Sequence, residues 1–204
     1  KALFTIAPLL QALGGIGEIN KNTKVITVDQ PAEGTRHLAA AMTTQPPDAE
    51  IAPRNESDDA LILYTSGTAG RSKGVALAYS HLSLFPETLK AFIYTTEKDS
   101  FLCVLPMSHI SGPILCNSLA SHGVGIVIED TMNPEAILED MEKNKPTIFH
   151  CVPTIFNFLF NSRSFTKRDL SSLRVIAMMG EPVPLWLMRK YRDALPKSKV
   201  LQGY

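Results

Sequence analysis

From residue 101 onward, short apolar runs alternate with longer segments of helical character, and this rhythm restricts the fold more than any other feature. Phe101 to Leu105, Gly125 to Ile128, Thr147 to Val152, Leu173 to Met178 and Val200-Leu201 read as strands. Pro113 to His122, Asn133 to Lys143, Pro153 to Phe160 and Pro184 to Leu195 read as the helices between them. Asn133-Pro134-Glu135 puts a cap, a fixed φ and an acid where a helix start favours them. The strands are apolar on both faces, a pattern that requires cover on both sides. The sequence therefore predicts an α/β fold with a mostly parallel sheet flanked by helices. In such sheets ligands gather at the carboxyl ends of the strands.

The first part of the chain reads as a βαβ unit. Residues 1–5 form a strand, Ile6 to Leu13 a short helix ended by Gly14-Gly15, and Val25 to Val28 a second strand. Residues 30–59 are polar and hold four prolines, with one weak helix expected around Thr35 to Ala41. The expected division is residues 1–42 as the end of a first subdomain, 43–59 as a linker, and 60–204 as a second α/β subdomain.

Between the strands Ala60 to Leu63 and Val75 to Ala78 lies Tyr64-Thr65-Ser66-Gly67-Thr68-Ala69-Gly70-Arg71-Ser72-Lys73-Gly74-Val75. Glycines let backbone N–H groups approach a ligand without a Cβ in the way. The hydroxyls of Thr65, Ser66, Thr68 and Ser72 add donors, and Lys73 adds a mobile positive charge. This combination suits a polyphosphate. It is not a Walker loop, which needs Gly before the lysine and Ser or Thr after it. Taken alone, a Gly/Ser/Thr loop of this kind is more often a plain exposed turn. After it, Ser80 is placed to cap a helix from His81 to about Tyr94, with His81 capping or lying near the helix dipole.

Three strand ends carry further candidates. Leu105-Pro106-Met107-Ser108-His109-Ile110-Ser111-Gly112 puts a histidine between a strand and a helix, where it either serves a ligand or orients the turn. Met178-Met179-Gly180-Glu181-Pro182 and Gln202-Gly203-Tyr204 are turn sequences that alone say little.

Together these segments resemble the adenylate-forming (AMP-binding) enzymes, which include acyl- and aryl-CoA synthetases, luciferase and the adenylation domains of peptide synthetases. The loop at 64–75 is similar to their [YF]-T-S-G-T-T-G-x-P-K-G-V signature, with Ala69 in place of Thr and Ser72 in place of Pro. The His109 segment resembles their P-L-x-H-x-x-G motif, that of Gly180 their G-G-[AE]-P turn with Met179 for the first glycine, and that of Tyr204 the opening of G-x-x-Y-G-x-T-E. The resemblance implies an acetyl-CoA synthetase-like N-terminal domain. It implies ATP, Mg2+ and coenzyme A as cofactor and co-substrates, and a fatty or aryl acid as the small-molecule partner. It implies that Thr65, Ser66, Gly67, Thr68, Ala69, Gly70 and Lys73 hold the phosphates. Gly180, Glu181, Pro182, Gln202, Gly203 and Tyr204 would surround the adenine, and His109, Gly112 and Gly180 the acyl group. Lys73 and His109 take the catalytic roles. No side chain is assigned to the metal, with Thr65 or Thr68 the candidates.

By the same comparison the chain is an internal slice. It stops before the Thr-Glu pair, the ribose-binding aspartate, the hinge and the small C-terminal domain with its lysine, so the isolated piece is expected to be inactive. Two rival readings remain: a non-catalytic nucleotide-binding or structural module, and an amino-acid adenylation domain. The second usually carries F-D-x-S where this chain has the His109 segment.

Composition removes other classes. Twenty basic residues balance twenty acidic ones with no basic stripe, so nucleic acid and anionic membrane are poor partners. No apolar run reaches the roughly 18–20 residues of a membrane span. Cys103, Cys116 and Cys151 sit in apolar segments without metal-ligand spacing, which fits free thiols in a reducing, cytoplasmic compartment. Phe149, Phe156, Phe158 and Phe160 fit core packing better than a ligand tunnel.

Overall fold

A computed structural model describes residues 1–19, 21–44, 50, 52–65 and 70–203. Two compact units emerge, Lys1–Pro53 and Arg54–Tyr204. In the first, β1 (Ala2–Thr5), α1 (Ala7–Ala12) and β2 (Lys24–Thr27) form the expected βαβ unit, with Leu3 opposite Val25 in parallel register. A third strand, β3 (Arg36–His37), pairs parallel with β2 and leads into α2 (Leu38–Thr44). The helix expected at Thr35 to Ala41 therefore begins later. A two-residue strand leaves no periodicity to read, and its place is fixed by backbone pairing to β2.

The second unit opens with a hairpin of β4 (Asp59–Thr65) and β5 (Lys73–Ala78), in which Thr65 faces Lys73. Next comes α3 (Tyr79–Ile93), whose N-cap is Ala78. Ser80 is thus inside the helix and does not cap it. The start is secured instead by His81, whose Nδ1 accepts a hydrogen bond from the Ala78 N–H at 3.0 Å.

The remaining chain builds five parallel strands with helices between them. These are β6 (Ser100–Cys103), α4 (Ser111–Ser121), β7 (Gly125–Ile128), α5 (Pro134–Asn144) and β8 (Ile148–Cys151), then α6 (Pro153–Asn161), β9 (Val175–Met178), α7 (Leu185–Ala194) and β10 (Lys199–Gln202). Asn133 caps α5 as expected, accepting from the Glu135 N–H at 2.9 Å. The centre strands supply fully buried Phe101, Leu102, Ile148, Phe149 and Ile176. Burying such side chains contributes about 1.5–3 kcal/mol each. Phe149 and Phe156 meet edge to face at 5.1 Å in this core, whereas Phe158 is exposed.

Strand order is β10-β9-β8-β6-β7. From β6 the chain steps outward to β7, crosses back over β6 to β8, and then proceeds the other way. The direction of winding reverses between β6 and β8, and a crevice opens outside the carboxyl ends of strands at such a reversal.

Candidate active site

A cavity of about 230 Å³ lies at that reversal. The loop after β6 gives it Leu105 and His109, the ends of β8 and β9 give it His150, Cys151 and Gly180, and α3 sends in Phe85. Its walls are mainly apolar, and among the described residues no Asp, Glu, Lys or Arg lines it.

The loop after β6 is held by its backbone. The His109 N–H donates to the Pro106 carbonyl at 3.0 Å, and the Gly112 N–H to the His109 carbonyl at 3.1 Å. A Cβ at Gly112 would stand 2.6 Å from the Pro106 oxygen, so only glycine lets α4 begin this close to the strand end. Gly112 is buried and does not line the cavity. Its visible contribution is to place the neighbouring His109. That imidazole accepts at Nδ1 from the Ser111 N–H at 3.3 Å and lies 2.6 Å from the Ser111 hydroxyl. An Nδ1 that accepts carries no proton, so the neutral ring has its proton on Nε2.

On the opposite wall Gly180 adopts φ +86°, the left-handed region that glycine alone enters without strain. Beside it the Glu181 carboxylate accepts a hydrogen bond from Thr154 Oγ1 at 3.0 Å, tying the turn after β9 to the start of α6. Pro182 is exposed at the same turn. Gln202 ends β10, and the Gly203 N–H donates to the Met178 carbonyl at 3.0 Å. The Met179 side chain lies over Gly203, where an added Cβ would come within 2.3 Å of its Cε.

The cavity thus joins His109 and Gly180, from two separate sequence motifs. Thr65, Gly70 and Lys73 belong to the tip of the β4–β5 hairpin and are not among its lining residues. Gly70 has φ +83°, and Lys73 is exposed with no ion-pair partner among the described residues. Ser66, Gly67, Thr68, Ala69 and Tyr204 lie outside the described residues. Sequence reasoning missed Phe85, Ile114 and His150 in the cavity wall. A polar histidine inside the apolar run 147–152 was the available signal for the last.

Burial sets the titration of the lining groups. It pushes the Cys151 thiol up to about 12, so this residue stays protonated and is a poor nucleophile. It pushes the His150 imidazole down to about 4, so that ring is neutral. All three cysteines are free. No helix among the described residues is long and apolar enough to cross a membrane.

The sequence pattern of the AMP-binding enzymes matches residues 1–204. The chain belongs to the AMP-binding enzyme family. Similar relatives include the 4-coumarate–CoA ligase CCL1 of Humulus lupulus, 31% identical over all of this chain and 38% of its own length. A 4-coumarate–CoA ligase of Pinus taeda is also 31% identical, over all of this chain and 39% of its own. Among solved structures, the long-chain-fatty-acid–CoA ligase FadD1 of Archaeoglobus fulgidus superposes with a TM-score of 0.83 at 25% identity, covering 98% of this chain and 41% of that one. The anthranilate CoA ligase AuaEII has the same fold, with a TM-score of 0.86 at 21% identity over all of this chain and 40% of its own. The chain spans about two fifths of the length of these curated relatives. As an AMP-binding enzyme domain it has the parallel α/β sheet of acyl-CoA synthetase-like N-terminal domains.

Proposed function

We propose that the whole protein activates a carboxylic acid with ATP, forming an acyl-adenylate and pyrophosphate, and then passes the acyl group to coenzyme A. One observation carries this reading: the His109 and Gly180 motifs, distant in sequence, wall a single apolar cavity at the strand reversal. That cavity takes the hydrocarbon part of the acid. Its volume of about 230 Å³ lies below the several hundred Å³ of drug-sized ligand pockets, which suits an aryl or short acyl group better than a long chain.

In this reading the carboxylate oxygen attacks the α-phosphorus of ATP, and the protein contributes alignment and charge stabilisation. The backbone N–H groups and hydroxyls of residues 65–70 hold the β- and γ-phosphates, and Lys73 offsets their charge. ATP enters as its magnesium complex, with the ion on phosphate oxygens. The Nε2–H of His109 directs a donor at the acid, and the turn at Gly180 to Pro182 lies with Gln202, Gly203 and Tyr204 along the adenine. The chain by itself is read as inactive and the protein as cytoplasmic.

Acid-dependent exchange of labelled pyrophosphate into ATP tests the reading. Exchange by the full-length protein with aryl or short alkyl acids is expected. Exchange with amino acids alone, or with no acid at all, overturns it.

A further inference from the structure

Acyl packing alone leaves one feature of the cavity unexplained. His150 stands within the apolar strand β8, between buried Phe149 and Cys151. Although the residue keeps some accessible surface, its Nδ1 is fully enclosed and has no hydrogen-bond partner. The ring borders the 230 Å³ cavity and also a second, narrower space lined by Leu89, Phe101 and Leu119, which has no room for a water molecule. Among the described residues, His150 and Met179 are the two that line both spaces, so they stand between them. Among the described residues, no Asp, Glu, Lys or Arg side chain borders either space. The ring is therefore a neutral donor–acceptor pair with an enclosed nitrogen that no described protein group satisfies. Buried polar groups are rarely left in that state, and each one calls for an explanation.

We infer that His150 sets specificity in this cavity by hydrogen-bonding a hydroxyl or keto oxygen carried on the body of the acid. The preferred substrate is then an otherwise apolar acid with one hydrogen-bonding substituent. This inference rests on the reading that the cavity receives the acyl group. A site with a polar group to satisfy discriminates strongly against the analogue that lacks the partner. As part of the partition, His150 also limits the depth of the cavity.

Matched acids with and without the substituent provide the test, such as phenylpropanoic and octanoic acids with and without a hydroxyl. Pyrophosphate exchange is measured with the full-length protein, His150→Phe and His150→Ala. The native protein should favour the hydroxylated member of a pair. His150→Phe should cut that preference in kcat/KM by roughly ten- to hundredfold, read as the ratio between the two members of a pair in the same protein. His150→Ala should lose the preference too and gain activity on longer unsubstituted acids, because it joins the two spaces. An equal preference in all three proteins overturns the role of His150 and leaves the acyl reading standing. If no acid supports exchange in the native protein, the acyl reading fails and the inference fails with it. A measurement that needs no variant is the imidazole ¹⁵N spectrum of the native protein. The His150 nitrogens should shift further with the hydroxylated acid than with its parent, and equal responses overturn the inference.

Discussion

Arg174 holds Asp99 at two points, with Nε and Nη2 each 2.6 Å from a carboxylate oxygen. The same carboxylate accepts from Thr147 Oγ1 at 2.6 Å and from the Thr96 N–H at 2.8 Å. These residues precede β6, β8 and β9, so one carboxylate joins the strands at their amino ends, opposite the edge that carries the cavity. The Asp99 side chain is only 4% exposed. The Arg174 side chain is 38% exposed, so water still reaches the charge left behind, and Asp99→Ala should cost about 1–3 kcal/mol in denaturant unfolding through the lost hydrogen bonds.

The pair also fixes a pH dependence. Burial alone would raise the Asp99 pKa, but the hydrogen bonds from Arg174, Thr147 and Thr96 outweigh it and hold the carboxyl well below the usual range. A depressed folded pKa gives stability that is complete above the unfolded value of about 4 and is lost as the pH falls toward the folded value. The difference in unfolding free energy between the native protein and Asp99→Asn should therefore shrink between about pH 4 and about pH 2. A difference that grows on acidification would contradict this.

Ser111 is expected to act on the acid through His109. Ser111→Ala removes the hydroxyl beside Nδ1 and should lower kcat/KM for the acid by about two- to tenfold, the worth of one hydrogen bond. The KM for ATP should not move. Steady-state kinetics with each substrate varied in turn check both parts.

The two motif glycines should respond differently to alanine. At Gly112 the added Cβ meets the Pro106 carbonyl at 2.6 Å, so the backbone must shift, at a cost of about 1–3 kcal/mol. At Gly180 there is room, with Val152 Cγ1 at 3.5 Å, and the penalty is the positive φ, about 1–2 kcal/mol. Thermal denaturation should show both losses. Gly112→Ala should also impair acid use, since it displaces the loop that carries His109.

Lys73→Ala in the full-length protein should raise the KM for ATP and lower the rate while leaving acid binding intact. Binding of the acid by calorimetry, beside exchange kinetics with ATP varied, separates the two effects. An unchanged ATP dependence would remove the role given to Lys73.

Much of this was legible in the sequence because each strand and helix after residue 100 carries its own local signal. Asn133-Pro134 marks the start of α5, and the run 175–178 is buried throughout. His109 stood out at a strand end, where ligands gather in such sheets, whereas Gly180 was singled out by its resemblance to the family's turn and alone said little. What stayed hidden depends on contacts between distant segments. Asp99 reads as an ordinary turn aspartate until Arg174, 75 residues later, is folded onto it. The two-residue β3 depends on β2, and the meaning of His150 on a void assembled from several elements.

The structure of the full-length protein bound to a non-hydrolysable acyl-adenylate analogue tests the central claim most directly. The acyl group should lie between His109 and Gly180, against Phe85 and His150, with its phosphate turned toward the β4–β5 hairpin. An acyl group seated elsewhere, with this cavity still empty of ligand, would contradict it.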